Sequence, residues 1–147
     1  MSLNQKIPED LKEAIKTRDA LRTSCLRMLK TAMKNAQVEK GRELEDGEIR
    51  SLISSSVKKG VEAAQEFRRG GREDLAEKEE KEIRILYEYL PEQLTPEEVE
   101  ATLRGIIAEL SASGPKDLGK VMKVAMTRMA GRAQGKEVNK IAARLLK

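Results

Sequence analysis

The chain has 147 residues, 39% of them hydrophobic and 37% charged, with one Phe, two Tyr, no Trp and no His, and a net charge of +4. That length allows one domain or two small ones, and the shortage of aromatic rings requires any core to be packed by Leu, Ile, Val, Ala and Met. No run approaches the ~18 apolar residues of a membrane span and the N-terminus carries no apolar signal region, so a soluble cytoplasmic protein with no membrane partner is expected, and the lone Cys25 excludes an internal disulfide.

In chain order, Ile7, Leu11, Ala14 and Ile15 share one face of a short first helix, expected to open at Pro8 and end near Thr17; no weight is placed on the first three residues. Asp19 is placed to cap a second helix, whose stripe runs through Leu21, Cys25, Met28, Leu29, Ala32, Met33 and Ala36 and should stop before Gly41. Asp46 reads as the cap of a third, with Ile49, Leu52, Ile53, Val57, Ala64 and Phe67 on its apolar face. Ser56 and Gly60 on that face are weak helix formers that permit close approach of a neighbour. Gly70 and Gly71 break it.

The organising stretch is Arg72 to Glu98. A charged helix with Ile83, Leu86, Tyr87 and Leu90 at helical spacing runs into Pro91, which disfavours helical backbone at the residue before it. Thr95, Pro96 and Glu98 then spell an N-cap, a first-turn proline and a capping box. Stop and start lie so close that only a short linker fits, and the stretch reads as the hinge of a two-part molecule. Val99, Leu103, Ile106, Ile107 and Leu110 mark a fifth helix, stopped by the run at 111–115. Leu118, Val121, Met122, Ala125, Met126 and Met129 mark a sixth, and Val138, Ile141, Ala142, Leu145 and Leu146 a seventh, with a turn at 131–135 between them. Nothing alternates with a period of two. The expectation is an all-α protein, an N-terminal bundle of about four helices over residues 1–91 followed by a small three-helix domain over 95–147. The boundary also fits a tight turn within one bundle.

Chemistry is limited by what is missing. Without histidine the chain lacks the side chain best poised to move protons at neutral pH and the usual zinc ligands. Cys25 lies on an apolar stripe, where a thiol behaves as a small hydrophobe. Acid pairs such as Glu79 and Glu80, or Glu97 and Glu98, read as a solvated face, and no phosphate-cradling glycine pattern is present. No catalytic residue, metal or cofactor is therefore expected. The charge is uneven: +5 over residues 1–42, −5 over 43–94, −3 over 95–115 and +7 over 116–147. In that last block Lys136, Lys140, Arg144 and Lys147 form one stripe facing away from Val138 and Leu145. Lys116, Lys120, Lys123 and Arg128 decorate the preceding helix, and Arg132 sits in the turn. Such a surface can track phosphates, and with no aromatic residue for base stacking it suits a duplex or folded RNA read by shape and backbone. Lysines that merely solvate two helices give the same pattern. Met122, Met126 and Met129 read as core filler rather than a binding face.

Three strings go further. YEYLPEQL at 87–94, GREDLAEKEE at 71–80 and RMLKTAMKNAQVEKGREL at 27–44 resemble the YqeY family nearly end to end. The segment GKVMKVAMTRMAGRAQGKEVN at 119–139 is similar to the tail domain of the B subunit of the glutamine-dependent aspartyl/glutamyl-tRNA amidotransferase, a domain understood to help hold the tRNA while the chemistry is done elsewhere. The resemblance implies two helical lobes and a tRNA partner, with components of that amidotransferase or of aminoacyl-tRNA synthetases as further partners. Gly119, Lys120, Met122, Lys123, Gly131, Arg132, Ala133, Val138 and Asn139 match the tail pattern. Among them it implies RNA contacts for Lys120, Lys123, Arg132 and Asn139, packing for Met122 and Val138, and a second small-residue turn at Gly135. Asn139 fits equally as a brace of the turn. The chain has no recognisable ATP-grasping domain and no serine–lysine amidase motif, so the resemblance implies an accessory protein rather than a complete transamidase. A carbon–nitrogen ligase component using glutamine as amido donor, and a helical adaptor binding another protein through the acidic helix, are the alternatives.

Overall fold

The computed structural model describes all 147 residues and is helical throughout, with no strand. It forms two compact units, Met1–Leu90 and Pro91–Lys147. The first is a bundle of α1 (Leu3–Lys16), α2 (Ala20–Lys40), α3 (Asp46–Arg69) and α4 (Glu73–Tyr87). The second holds α5 (Pro96–Leu110), α6 (Leu118–Arg128) and α7 (Gly135–Leu145), with one 3-10 turn at Pro115–Asp117 leading into α6. The all-α class and the four-plus-three arrangement follow from the apolar stripes. Each helix has one such face, and the stripes collect into one core per unit: Ile7, Leu26, Ile49, Ile53 and Val57 lie at the centre of the first, and Val99, Leu103, Ile106, Val121, Met129 and Val138 at the centre of the second.

Several local expectations are corrected. Pro8 does not open α1 but sits in its second turn, where it has no N–H to give the Asn4 carbonyl. The preceding turn is held from outside the helix. Leu3 is buried, its N–H donates to Asp46 Oδ1 at 2.9 Å, the Asn4 amide donates to the Leu44 carbonyl, and Gln37 Nε2 donates to Asn4 Oδ1 at 3.0 Å. The Asp46 carboxylate is thereby committed to α1, and the cap of α3 falls to Glu45, whose N–H donates to Glu48 Oε1 at 3.0 Å. In α2, Met28 is 68% exposed whereas Leu26, off the expected stripe, is fully buried. The helix packs against α1 as well as α3 and α4, which turns its buried arc toward Leu26.

Helix α4 also ends earlier than Leu90. After Tyr87 the next three amides bond three residues back, Glu88 N to Ile85 O, Tyr89 N to Leu86 O and Leu90 N to Tyr87 O, at 3.1–3.2 Å. The tighter winding rotates Tyr89 into the core, where its hydroxyl donates to Asp10 Oδ2 at 2.6 Å and Lys6 Nζ sits 5.8 Å from the ring centroid. Burial, then the Asp10 bond, holds this phenol well above its usual range. Gly60 permits the close approach expected of it. A Cβ there would lie 3.0 Å from Ile83 Cγ1, across the most extensive helix pair of the chain, α3 against α4.

The contrast on α2 is directly testable. Leu26→Ala should lower unfolding free energy by about 2–5 kcal/mol, whereas Met28→Ala should change it by less than about 0.5 kcal/mol, measured by urea titration followed by circular dichroism.

Candidate nucleic-acid interface

The nine candidate residues Lys116, Lys120, Lys123, Arg128, Arg132, Lys136, Asn139, Lys140 and Arg144 all lie in the second unit and are all exposed. Core burial dictates where they point. On α6, Val121, Ala125 and Met129 face inward, so Lys120 and Lys123 face out; Met122 and Met126 pack against the same core. On α7, Val138, Ala142 and Leu146 are buried, and at about 100° per residue Lys136, Lys140 and Arg144 occupy a single outer arc roughly opposite them. Lys116 sits in the 3-10 turn before α6.

The turn between α6 and α7 is built by a segment far away in sequence. Gly131 has φ +74°, a conformation glycine adopts without strain, and its carbonyl accepts from Gln93 Nε2 at 2.7 Å. The Leu94 N–H donates to the Arg132 carbonyl at 2.8 Å, and Arg132 Nε returns a bond to the Glu92 carbonyl at 3.0 Å. Residues 91–94, read from sequence as a short linker, are therefore a strap laid along this turn. The brace is Gln93. Asn139, the other candidate for that role, lies exposed in α7 and its side chain makes no hydrogen bond.

The arginines differ from the lysines. Arg128 forms a two-pronged pair with Glu109, at 3.1 and 2.5 Å, and Arg144 pairs with Glu100, which Arg104 also approaches at 3.4 Å. Hydrogen bonds from Arg144 and from Arg128 hold the Glu100 and Glu109 carboxyls below their usual range, and Glu109 raises Arg128 in turn. Glu100 and Glu109 lie nine positions apart on α5, which at 100° per residue sets them on opposite flanks, one toward α7 and one toward α6. Lys116, Lys120, Lys123, Lys136 and Lys140 form no ion pair. Sequence reading missed Glu100, Glu109 and Gln93, because their partners lie 44, 19 and 38 residues away and no local pattern records such a distance.

The first unit offers one thiol. Cys25 is buried, its Sγ lies 3.8 Å from the Glu82 carbonyl, and burial, followed by the nearby Glu82 charge, pushes its pKa up to about 11. That is the opposite of an activated nucleophile.

The sequence profile of the family described as Yqey-like protein matches residues 4–146. The chain belongs to the Yqey-like family. Its relatives include proteins named altered inheritance of mitochondria protein 41, mitochondrial. That of Lachancea thermotolerans is 30% identical over 112 residues, covering 74% of this chain and 60% of the relative. That of Kluyveromyces lactis is 32% identical over 113 residues, with coverage of 74% and 60%. The relative from Pyrenophora tritici-repentis is 28% identical over 134 residues, covering 90% of this chain and 74% of its own length. The chain thus spans about 60% of the length of the first two relatives. These names overturn the cytoplasmic expectation, since the relatives are mitochondrial by name. Composition had excluded only an apolar membrane-crossing helix, and that exclusion does not distinguish one aqueous compartment from another.

For this Yqey-like chain the state of Cys25 can be checked by alkylation. At pH 8 a thiol with a pKa of about 11 is ~0.1% ionised, against roughly a quarter for an unperturbed thiol. Iodoacetamide should therefore react with the folded protein at least about 100-fold more slowly than with the urea-unfolded chain, and the folded-state rate should still be climbing at pH 10.

Proposed function

We propose that this Yqey-like protein is an accessory RNA-binding protein that holds a folded RNA of the tRNA kind by its phosphate backbone, through the outer surface of α6, α7 and the turn before them. The observation that carries the reading is the set of five lysines, Lys116, Lys120, Lys123, Lys136 and Lys140, that are exposed and free of any carboxylate partner. Neutralising phosphates releases counterions, which gives such a surface affinity without base contacts. The absence of aromatic residues from 116–147 favours shape and backbone recognition over stacking on single strands. The resemblance of 119–139 to the tail of a tRNA-handling enzyme points to the same ligand. Arg128, Arg132 and Arg144 contribute only when released from Glu109, the Glu92 carbonyl and Glu100, so the lysines bear most of the binding. Asn139, exposed and unbonded beside Lys140, is a supplementary contact. Transamidation by this chain is less well supported, because its one thiol is buried and held protonated.

Filter binding with total tRNA tests the proposal. With about five phosphate contacts, affinity should fall by roughly 500-fold between 50 and 200 mM salt. Lys120→Glu/Lys123→Glu/Lys140→Glu should weaken binding at least about tenfold and flatten the salt dependence. Salt-insensitive binding, or binding untouched by the triple reversal, defeats it.

A further inference from the structure

The bundle of the first unit has an open groove of about 380 Å3 that its core does not fill. One wall is α2 at Met28 and Leu29, the other is α3 at Gly60 and Ala63, and α4 contributes Ile83 and Leu86. Met28, 68% exposed at the rim, also lines an adjoining shallow surface together with Ile15, which is 48% exposed. Two of the few large apolar side chains left in water therefore adjoin the groove, and the apolar surface runs past the volume a small ligand would fill.

The charge beside this apolar strip is specific. Glu79 and Glu82 line the groove one turn apart on α4, and neither carboxylate has a hydrogen bond or ion pair. Their neighbours on the same helix, Glu73 and Glu80, are both paired with Arg68. Glu79 Oε2 lies 3.5 Å from where a Cβ on Gly60 would be, so this carboxylate rests against the groove wall. Burial, then the charge of Glu79, raises the Glu82 pKa, and Lys78 offsets this only in part. Lys59 on the groove edge stays out of ion-pair range. The groove therefore combines an apolar strip with two carboxylates that lack a cation.

From this we infer that the groove docks an amphipathic helix of a protein partner, its apolar ridge lying on Met28, Ile83 and Leu86 and a Lys or Arg at its edge pairing with Glu79 and Glu82. Two helices forming the walls suit a third laid between them. A second copy of this chain is a poor occupant, because each of its helices already buries its apolar stripe in the core of its own unit.

Two fluorescently labelled peptides about 18 residues long test the inference, sharing one Leu/Ala ridge and differing only in flanking Lys or Glu. Anisotropy with the full chain should show the Lys peptide binding at least about tenfold more tightly, and its titration should shift the methyl resonances of Met28 and Ile83. Met28→Lys, at an exposed position that the fold does not need, should weaken that peptide by about tenfold or more. Glu79→Gln/Glu82→Gln should remove the difference between the peptides. Equal affinity for both peptides, methyl shifts confined to other surfaces, or unimpaired binding by these variants would overturn the inference. So would a dimer of the unliganded chain, seen by sedimentation, that Met28→Lys dissociates, since the occupant would then be a second copy.

Discussion

Every helix in this chain has one apolar face to hide, and hiding it decides where all the charge goes. The side chains available for the purpose are almost entirely aliphatic, and each removes only a modest apolar area from water, so the stripes must be long and continuous. Two separate cores result, one in each unit. Once Val121, Ala125, Val138 and Ala142 are committed inward, the lysines between them have nowhere to go but outward. A basic surface in the second unit is thus a by-product of core packing before it is anything functional, and what marks it is a charge of +7 over residues 116–147.

Helix α5 sorts the cations of the second unit into two groups. Its Glu100 and Glu109, on opposite flanks, hold Arg144 and Arg128 respectively, with Arg104 also beside Glu100, whereas the lysines stay free. The division suits the chemistry of the groups, since a planar guanidinium matches a carboxylate with two parallel bonds and an ammonium does so only as a point charge. Exposed pairs of this kind contribute little stability. Their effect is on availability, because a phosphate reaching Arg128 or Arg144 must displace a carboxylate already in place, whereas one reaching Lys120 or Lys140 displaces only water and counterions.

The segment Pro91–Leu94 shows how a stretch that punctuates the sequence can be a structural member. Pro91 follows the tightened turn that ends α4, yet the three residues after it form hydrogen bonds to Gly131 and Arg132 and thereby shape the α6–α7 turn. This joins the end of the YEYLPEQL run, one of the strings that carry the family resemblance, to the Gly131–Ala133 turn of the tail-like segment 119–139. In the first unit the comparable device is Gly60, whose missing side chain brings α3 and α4 together and sets Glu79 against the groove wall.

The sequence by itself determined the helical class, the seven apolar stripes, the caps at Asp19 and Thr95 and the stop at Gly41, because these depend on spacing and on backbone preferences within a few residues. It also placed the lysines of α6 and α7 on outer faces. It could not show that α1 begins before Pro8, since that turn is held by Asp46 and Leu44 some 40 residues away. Nor could it show that Leu26 rather than Met28 is buried, that α4 tightens into a turn that buries Tyr89, or that Arg128 and Arg144 are occupied while five lysines are not. Those outcomes depend on which second helix lies beside the first. Periodicity fixes the side of a helix that is apolar, but only packing fixes how wide the buried arc is and which distant carboxylate comes within reach of a given cation.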